Sequence, residues 1–564
     1  MDTFSIAQNL ARVLGLKAHD IQARLERPPS LDWGDVACPC FELAKAWHRP
    51  PQTIALELAS TLQHATWTAS AAGGYVNFSW NRAKVLHSEL AQVLRNGVVV
   101  PQTGQGKTVV LEFGSPNVAK PITMGNLLPT IIGHALARMY EAVGWSVIRI
   151  NHLGDWGAQF GKVLAAYHRW GQDDRIRRDP VNELFRLYVR FHAEVEDDPQ
   201  LEQDARSWFR RLEQGEPEAR HLWRWFVDAS TAAFLTTYAR LGVQFDHVWG
   251  ESFYTDQIPG AVQQLKRGGL LATSQGAEVV SLGDDIPPCI IIKSDGTTIY
   301  AARDVAAAIY RYDRFHFDAM IYVVGAEQTL HFTQVFRTLQ RMGYAWAAHC
   351  HHVAFGLMRL AGRKMSSRRG DVVLLEEVLN EAVGRIAAIM DEKNPDLDDK
   401  APIAEVVGVG AVVFHGLKNQ RMRDVDFTWA DVLSFEGETG PYVQYTHARI
   451  CSLIDKALFK PESFWEAGMA PGEDPPVTTA EWQLWTALSG YGDTVAEATE
   501  KNEPFLITRR LLAVAQRFNS LYNHQRILSE DIRERTKLLA LAYHTSQVLK
   551  HGLGLLGIEA PDRM

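Results

Sequence analysis

Along the first hundred residues the apolar positions follow two periods. Residues 4–14, 41–47 and 53–62 repeat at the three-to-four spacing of helices with one buried face, while the segments around Val36 and at 75–78 carry the short apolar runs of strands. From about residue 106 the rhythm changes. Residues 109–111, 146–150, 320–324 and 352–360 are strand candidates separated by helix-length segments, the order of a parallel sheet with covering helices. Residues 127–143 form a long amphipathic helix behind the first of these strands. A charged, Trp-rich helical insertion over about 169–239 interrupts the alternation, and its Trp208, Trp223 and Trp225 suit the seam of a helical hairpin better than a base-stacking platform. Beyond about Pro402 the pattern is almost wholly helical, broken by a Pro/Gly/acid surface loop at 461–476. The predicted division is a small α+β domain at 1–105, an α/β domain at 106–380 and an all-α domain at 381–564.

Composition narrows the classes. With 564 residues, 46% hydrophobic and 22% charged, the chain has material for several cores, which excludes a disordered protein. No apolar run approaches the roughly 20 residues of a membrane helix, and the start, MDTFSIAQNLARVLG, lacks the blocks of a signal peptide, so a cytoplasmic location is expected. Cys38, Cys40, Cys289, Cys350 and Cys451 are odd in number and scattered, as reduced thiols are. Cys38-Pro-Cys40 has the wrong spacing for a zinc knuckle and His349-Cys-His-His352 suits a strand end, so no metal site is expected. At a net charge of −8, a nucleic-acid partner has to be met by local basic patches. Residues 503–551 offer one, with eight Lys or Arg against four Asp or Glu, although an ordinary solvated helix face has the same look.

Candidate chemistry concentrates at 109–161. The strand runs into a loop holding Glu112, Ser115 and Asn117, then into Pro121-Ile-Thr-Met-Gly-Asn126, which opens the helix. Backbone N–H groups at such a start attract anions, and Gly125 allows an adenine ring or phosphate close to the backbone. Far downstream, Gly362-Arg-Lys-Met-Ser-Ser-Arg368 follows a strand and carries a lysine and hydroxyls suited to a triphosphate, though a lone Lys-Ser loop is usually only solvated. Thr103-Gly-Gln-Gly-Lys-Thr108 only hints at a P-loop: the motif's first glycine falls on Pro101, and the segment precedes a strand. Tyr300-Ala-Ala-Arg-Asp304 begins a helix. Asp304 there suits either a helix N-terminal charge or a bidentate partner for a guanidinium, geometry that a lysine ammonium cannot supply.

Ser115-Pro-Asn-Val-Ala-Lys120 leading into 121–126 resembles the first signature region of arginyl-tRNA synthetases, where the same loop precedes the HIGH sequence of class I synthetases. Both HIGH histidines are replaced, by Thr123 and Asn126, in a Thr-x-Gly-Asn version that tryptophanyl synthetases commonly carry. Residues 362–368 resemble the KMSKS loop. Lys364, Met365 and Ser366 match, Ser367 stands at the second lysine, and Lys120 occupies the place of the lysine thought to substitute for it. Gly34-Asp-Val-Ala37, Leu43-Ala-Lys45 and Gly73-Gly-Tyr-Val-Asn-Phe78 resemble the additional N-terminal domain that packs against the tRNA elbow. Residues 440–449, 511–522 and 557–564 resemble the anticodon-binding bundle, with Tyr442, Tyr445, Arg449 and Met564 as tRNA contacts.

The resemblance implies a multidomain α/β protein: a Rossmann-like class I synthetase catalytic domain, a small α+β N-terminal domain and an all-α C-terminal anticodon-binding bundle. It gives ATP to Lys120, Thr123, Gly125, Asn126, Lys364, Met365, Ser366 and Ser367. Glu112, Ser115 and Asn117 take the α-amino group, carboxylate and part of the side chain of arginine, Tyr300 and Asp304 its guanidinium, and Gln328 a polar end. Residues 154–161 line the other wall, Trp156 being equally suited to the core. The implied reaction has two steps, attack of the arginine carboxylate on the α-phosphorus of ATP carried with Mg2+, then transfer to the 2′-hydroxyl of the terminal adenosine of tRNA(Arg). Positioning and electrostatics carry such steps without a protein nucleophile. Bound tRNA is expected for the first step, with no tightly bound cofactor, no membrane and a monomeric chain. Two alternatives stand beside this: a paralogue passing arginine to another acceptor, and a tRNA-binding relative without catalysis.

Overall fold

The computed structural model describes residues 3–360, 363–364, 373–395, 399–467 and 474–564. Its central sheet is five-stranded and parallel, in the order Cys350–Phe355, Ala319–Gly325, Thr108–Glu112, Ser146–Asn151, His247–Val248. The inner strands are near-continuous Val/Ile/Leu runs because helices cover both faces; Val109, Val110 and Leu111 are each fully buried. Strand order reverses at Thr108–Glu112, and in open α/β sheets ligands bind at the carboxyl ends beside such a switch point.

The helix behind that strand begins with a 3-10 turn, Met124–Asn126, and continues as Leu127–Ala142. It is buried on nearly every side rather than amphipathic, because helix Lys400–Leu417 covers the face turned away from the sheet. Gly416 permits that approach, since a Cβ there would lie 2.5 Å from Ile131 Cδ1, and Gly133 permits a separate one, where a Cβ would lie 2.1 Å from the Phe113 ring. Among the described residues, Lys400–Leu417 is the one helix long and apolar enough to cross a membrane, and it is a core helix, 67% buried.

The strand expected at 352–360 is two strands. Cys350–Phe355 ends in the main sheet, and Met358–Leu360 joins a second sheet with Val425–Phe427 and Arg363–Lys364. The break falls at Gly356, whose N–H donates to Arg421 O and whose missing Cβ would lie 2.7 Å from the Arg423 backbone. Short strands at Leu271–Ser274, Ala277–Val280 and Cys289–Ile292 form an antiparallel sheet that the apolar pattern did not reveal. The insertion contains helices Asp173–Arg178, Pro180–Glu194, Gln200–Glu213 and Pro217–Arg240. Its Trp208 and Trp223 are buried seam residues, and Trp156 packs edge-on against Trp223, which makes it core.

Packing groups the chain into two bodies, each discontinuous in sequence. One holds 1–99, 449–492 and 513–548, and the other holds 100–448, 493–512 and 549–564. In the first, strand Tyr75–Trp80 lies between Val36–Pro39 and Trp67–Ala72. The helical C-terminal region contains Gly440–Ala457, Thr479–Leu488, Tyr491–Glu500, Phe505–His524 and Ile532–Leu555.

Candidate functional site

The loop leaving the central strand is held in an unusual backbone path. Ser115 and Ala119 have positive φ (48° and 64°), which a non-glycine residue keeps only where its surroundings enforce it. Ser115 N–H donates to Asn151 Oδ1 at 3.2 Å, and Asn117 pairs with Gly154 in an isolated parallel bridge. A Cβ at Gly154 would lie 2.2 Å from Asn117 Oδ1, so this glycine brings the 154–161 wall against the loop. Asn117 is solvent-exposed at the mouth.

Buried charges form the floor. Helix Tyr300–Phe315 places Asp304 and Arg311 two turns apart on one face. Arg311 is fully buried, lies 2.5 Å from Glu112, and donates to the Tyr254 hydroxyl at 3.0 Å. Burial disfavours its charge, but Tyr254 and Glu112 outweigh burial and hold its pKa well above the ordinary value. Asp304 meets His331 Nε2 at 2.6 Å; burial pushes its carboxyl up, and the His331 hydrogen bond overrides this to leave it below the usual range. Asp155 is buried and accepts from the Ser252 N–H (2.8 Å) and hydroxyl (2.6 Å), with its pKa raised by burial.

Glu251 completes the cluster and was not singled out by the sequence motifs. Its carboxylate lies 2.8 Å from Arg303, and burial raises its pKa to about 7 against the pull of Arg303, with Asp304, Asp155 and Glu112 adding like-charge repulsion. The available signal was its place just past strand His247–Val248, at a carboxyl end of the sheet. Tyr300 begins its helix and is 67% exposed. Gln328 ends the turn after Ala319–Gly325 and is exposed. Among the sequence candidates, then, Glu112, Ser115, Asn117 and Gln328 lie at or just past carboxyl ends of the central sheet, and Tyr300 and Asp304 open the helix that leads into its strand Ala319–Gly325.

On the other side, Asn126 Oδ1 accepts both the Thr123 N–H (3.0 Å) and the Thr123 hydroxyl (3.1 Å). The Thr123 hydroxyl proton is taken up inside the turn, which leaves the Asn126 amide NH2 as the turn's side-chain donor. Gly125 is exposed beside it. Backbone bonds join this turn to the segment preceding helix Leu375–Lys393: Met124 N–H donates to Val373 O (3.0 Å) and Leu375 N–H to Ile122 O (3.1 Å). The segment 373–375 is thereby a direct neighbour of the turn. Lys120 Nζ lies 4.6 Å from the centre of the Tyr188 ring, and Lys364 sits in the strand pairing with Arg359. Met365, Ser366 and Ser367 lie outside the described residues.

In the N-terminal domain a cavity of about 540 Å³ is lined by Arg27, Trp33, Tyr75 and Asn77 among others. On helix Gly440–Ala457, Tyr442 is half-buried and Tyr445 is 38% exposed. Arg449 donates to Asn519 at 2.8 Å with Tyr522 beneath its guanidinium. Asn394 Nδ2 reaches the Met564 carbonyl at 3.4 Å. The basic stretch is less open than its charge suggests, since Lys537 is buried between Glu481 (2.8 Å) and Glu534 (2.9 Å).

Three family profiles match the chain: the class I (R) tRNA synthetase catalytic domain over 89–429, the DALR anticodon binding domain over 443–564 and the arginyl tRNA synthetase N terminal domain over 4–80. It is 44% identical over 563 residues to an arginine–tRNA ligase of Exiguobacterium sp., covering 99% of each chain. It is 42% identical over 554 residues to one of Halothermothrix orenii, covering 97% of each. Its fold superposes on Thermus thermophilus arginyl-tRNA synthetase with a TM-score of 0.81 at 28% identity, covering 100% of each chain.

Proposed function

Because the chain belongs to the arginyl-tRNA synthetase family, and so joins L-arginine to tRNA at the expense of ATP, we propose that its two motif-bearing sides divide the work. The arginine guanidinium takes the carboxylates of Asp304 and Glu251, with Tyr300 over it. Because His331 occupies Asp304 Oδ2, the second acid supplies what a bidentate Asp304 alone would have given. Glu112, oriented by Arg311, and Asn117 hold the amino-acid end, with Ser115 shaping the loop and Gln328 at the rim.

ATP, carried as its Mg2+ complex, lies over the Thr123–Asn126 turn. Asn126 donates to the triphosphate, Thr123 fixes the Asn126 amide, Gly125 permits the approach, and Lys120 and Lys364 neutralise charge as pyrophosphate leaves. Met365, Ser366 and Ser367 belong to the same group by motif. The carboxylate attacks the α-phosphorus, giving arginyl-adenylate; a ribose hydroxyl of the tRNA terminus then takes the arginyl group. The N-terminal cavity suits an unstacked base at the tRNA elbow, with Tyr75 and Trp33 as stacking faces. Tyr442, Tyr445, Arg449 and Met564 serve the anticodon side. We assign the regions 1–105, 106–380 and 381–564 to elbow binding, catalysis and anticodon binding, in a monomeric cytoplasmic enzyme. Among the described residues, no contact in the site favours a different acceptor or a binding-only relative.

The observation that carries this reading is the convergence of Asp304, Glu251 and Glu112 near the carboxyl end of the central sheet. The test is arginine-dependent ATP–pyrophosphate exchange with and without tRNA, followed by charging of bulk tRNA. Exchange and charging are expected, with exchange stimulated by tRNA. Exchange without charging contradicts the acceptor, and no exchange under any condition contradicts the catalytic assignment.

A further inference from the structure

Helix Pro217–Arg240, the last of the insertion, makes contacts that the chemistry above does not use. Its Ser230 is fully buried, and Ser230 Oγ accepts the Ala119 N–H at 3.2 Å. Ala119 is the residue with φ +64°, a left-handed conformation that a non-glycine residue keeps only where its surroundings enforce it, and Lys120 follows it directly. At the end of the same helix, Arg240 forks onto Glu405 (2.9 and 3.2 Å) and donates to Asn380 (2.8 Å) and to Glu376. Glu376 lies in the first turn of helix Leu375–Lys393, next to the residue whose N–H is bonded to Ile122 O. One helix therefore grips the phosphate-facing turn from both directions, through Ala119 ahead of it and through 373–376 behind its hydrogen-bonded partner.

We propose that Ser230 and Arg240 are positioning residues for adenylate formation. Ser230 acts through Ala119 on Lys120, and Arg240 through Glu376 on the segment 373–375 that braces Ile122–Met124. The insertion helix thus reaches the phosphate side through Ser230 and Arg240, while its contact with the arginine floor runs through a different residue, Trp223, whose Nε1 donates to Asp155 O at 2.7 Å. The planar fork of Arg240 meets three acceptors at once, which a lysine at this position cannot do. This proposal rests on the reading of Lys120 as a phosphate-side cation.

The test uses the full chain with saturating tRNA and compares Ser230→Ala, Arg240→Lys and Lys120→Ala with the parent. In Ser230→Ala and Arg240→Lys the kcat of arginine-dependent exchange is expected to fall at least tenfold with the arginine KM within twofold. Single-turnover transfer from synthetic arginyl-adenylate to tRNA should stay within twofold. Exchange within twofold of the parent in both variants overturns the proposal, as does an equal loss in both steps, which marks a merely structural role. Unchanged exchange in Lys120→Ala overturns the phosphate-side reading of that lysine and this proposal with it, whereas loss there without loss in Ser230→Ala overturns the proposal alone. If Arg240→Lys fails to fold, Glu376→Ala carries the same measurement, since it removes one acceptor of the fork.

Discussion

The side proposed to hold arginine sets Glu112, Glu251, Asp304, Arg303 and Arg311 against one another as buried or half-buried charges, whereas the Thr123–Asn126 turn, proposed to face the phosphates, contains no charged side chain. A fixed cation such as a guanidinium can be met by preorganised carboxylates, and Asp304 stays below the usual carboxyl range because the His331 hydrogen bond, with Arg311 further off, outweighs its desolvation. Phosphates bring their own charge and metal, and the turn has only to present donors without filling the space. Loss of one buried charge on the first side thus leaves its partner stranded, while loss of a donor on the second leaves helix-start N–H groups still in place.

The largest effect should follow from Arg311→Met. It strands Glu112 in a buried site, and removing one partner of such a pair costs about 3–5 kcal/mol, read as a drop in the denaturant midpoint. A loss under 1 kcal/mol would place Arg311 outside the floor's charge balance. Asp304→Ala comes next: losing a charge-assisted partner costs about 2–5 kcal/mol, seen as a rise in arginine KM with ATP KM nearly unchanged. Asn126→Ala should lower the rate of adenylate formation by roughly two orders of magnitude with little change in stability. Histidine restored at both 123 and 126 should then give activity at or above the parent, and much lower activity would mean the neighbours have adapted to the Thr–Asn pair.

The smallest effect is the pH dependence of Glu251. Its folded pKa is raised from 4.5 to about 7, so between these values the folded protein holds a proton that the unfolded chain has lost, and this group's contribution to stability falls as pH rises through that window. Arginine needs the ionised form, so arginine kcat/KM should rise with pH up to about 7 and binding near pH 6 should release protons in calorimetry across buffers of differing ionisation enthalpy. Glu251→Gln should remove both signatures. Proton release unchanged in that variant would assign the titration elsewhere.

Short local signals made much of this legible. The strand-loop-helix at 109–143 shows because parallel strands are continuous apolar runs, and Asp304 shows because its motif is confined to five residues. Glu251 and Arg311 did not show, since their roles come from side chains that meet only after the sheet is assembled. Periodicity overstated the exposure of Leu127–Ala142, because covering by Lys400–Leu417 depends on a close approach at Gly416 that the sequence of the covered helix does not announce. It also ran one strand through Gly356, where packing against Arg423 turns the chain. The direction of the Thr123 hydroxyl is a hydrogen-bond choice inside a turn, which a residue type alone does not specify.

The division of labour is tested most directly by exchange kinetics of Asp304→Ala and Asn126→Ala side by side at saturating tRNA. The account predicts that Asp304→Ala raises the arginine KM at least thirtyfold while holding kcat within a few-fold, and that Asn126→Ala lowers kcat about a hundredfold while holding the arginine KM within a few-fold. Both variants moving the same parameter, or Asn126→Ala leaving a robust parental rate untouched, would contradict it.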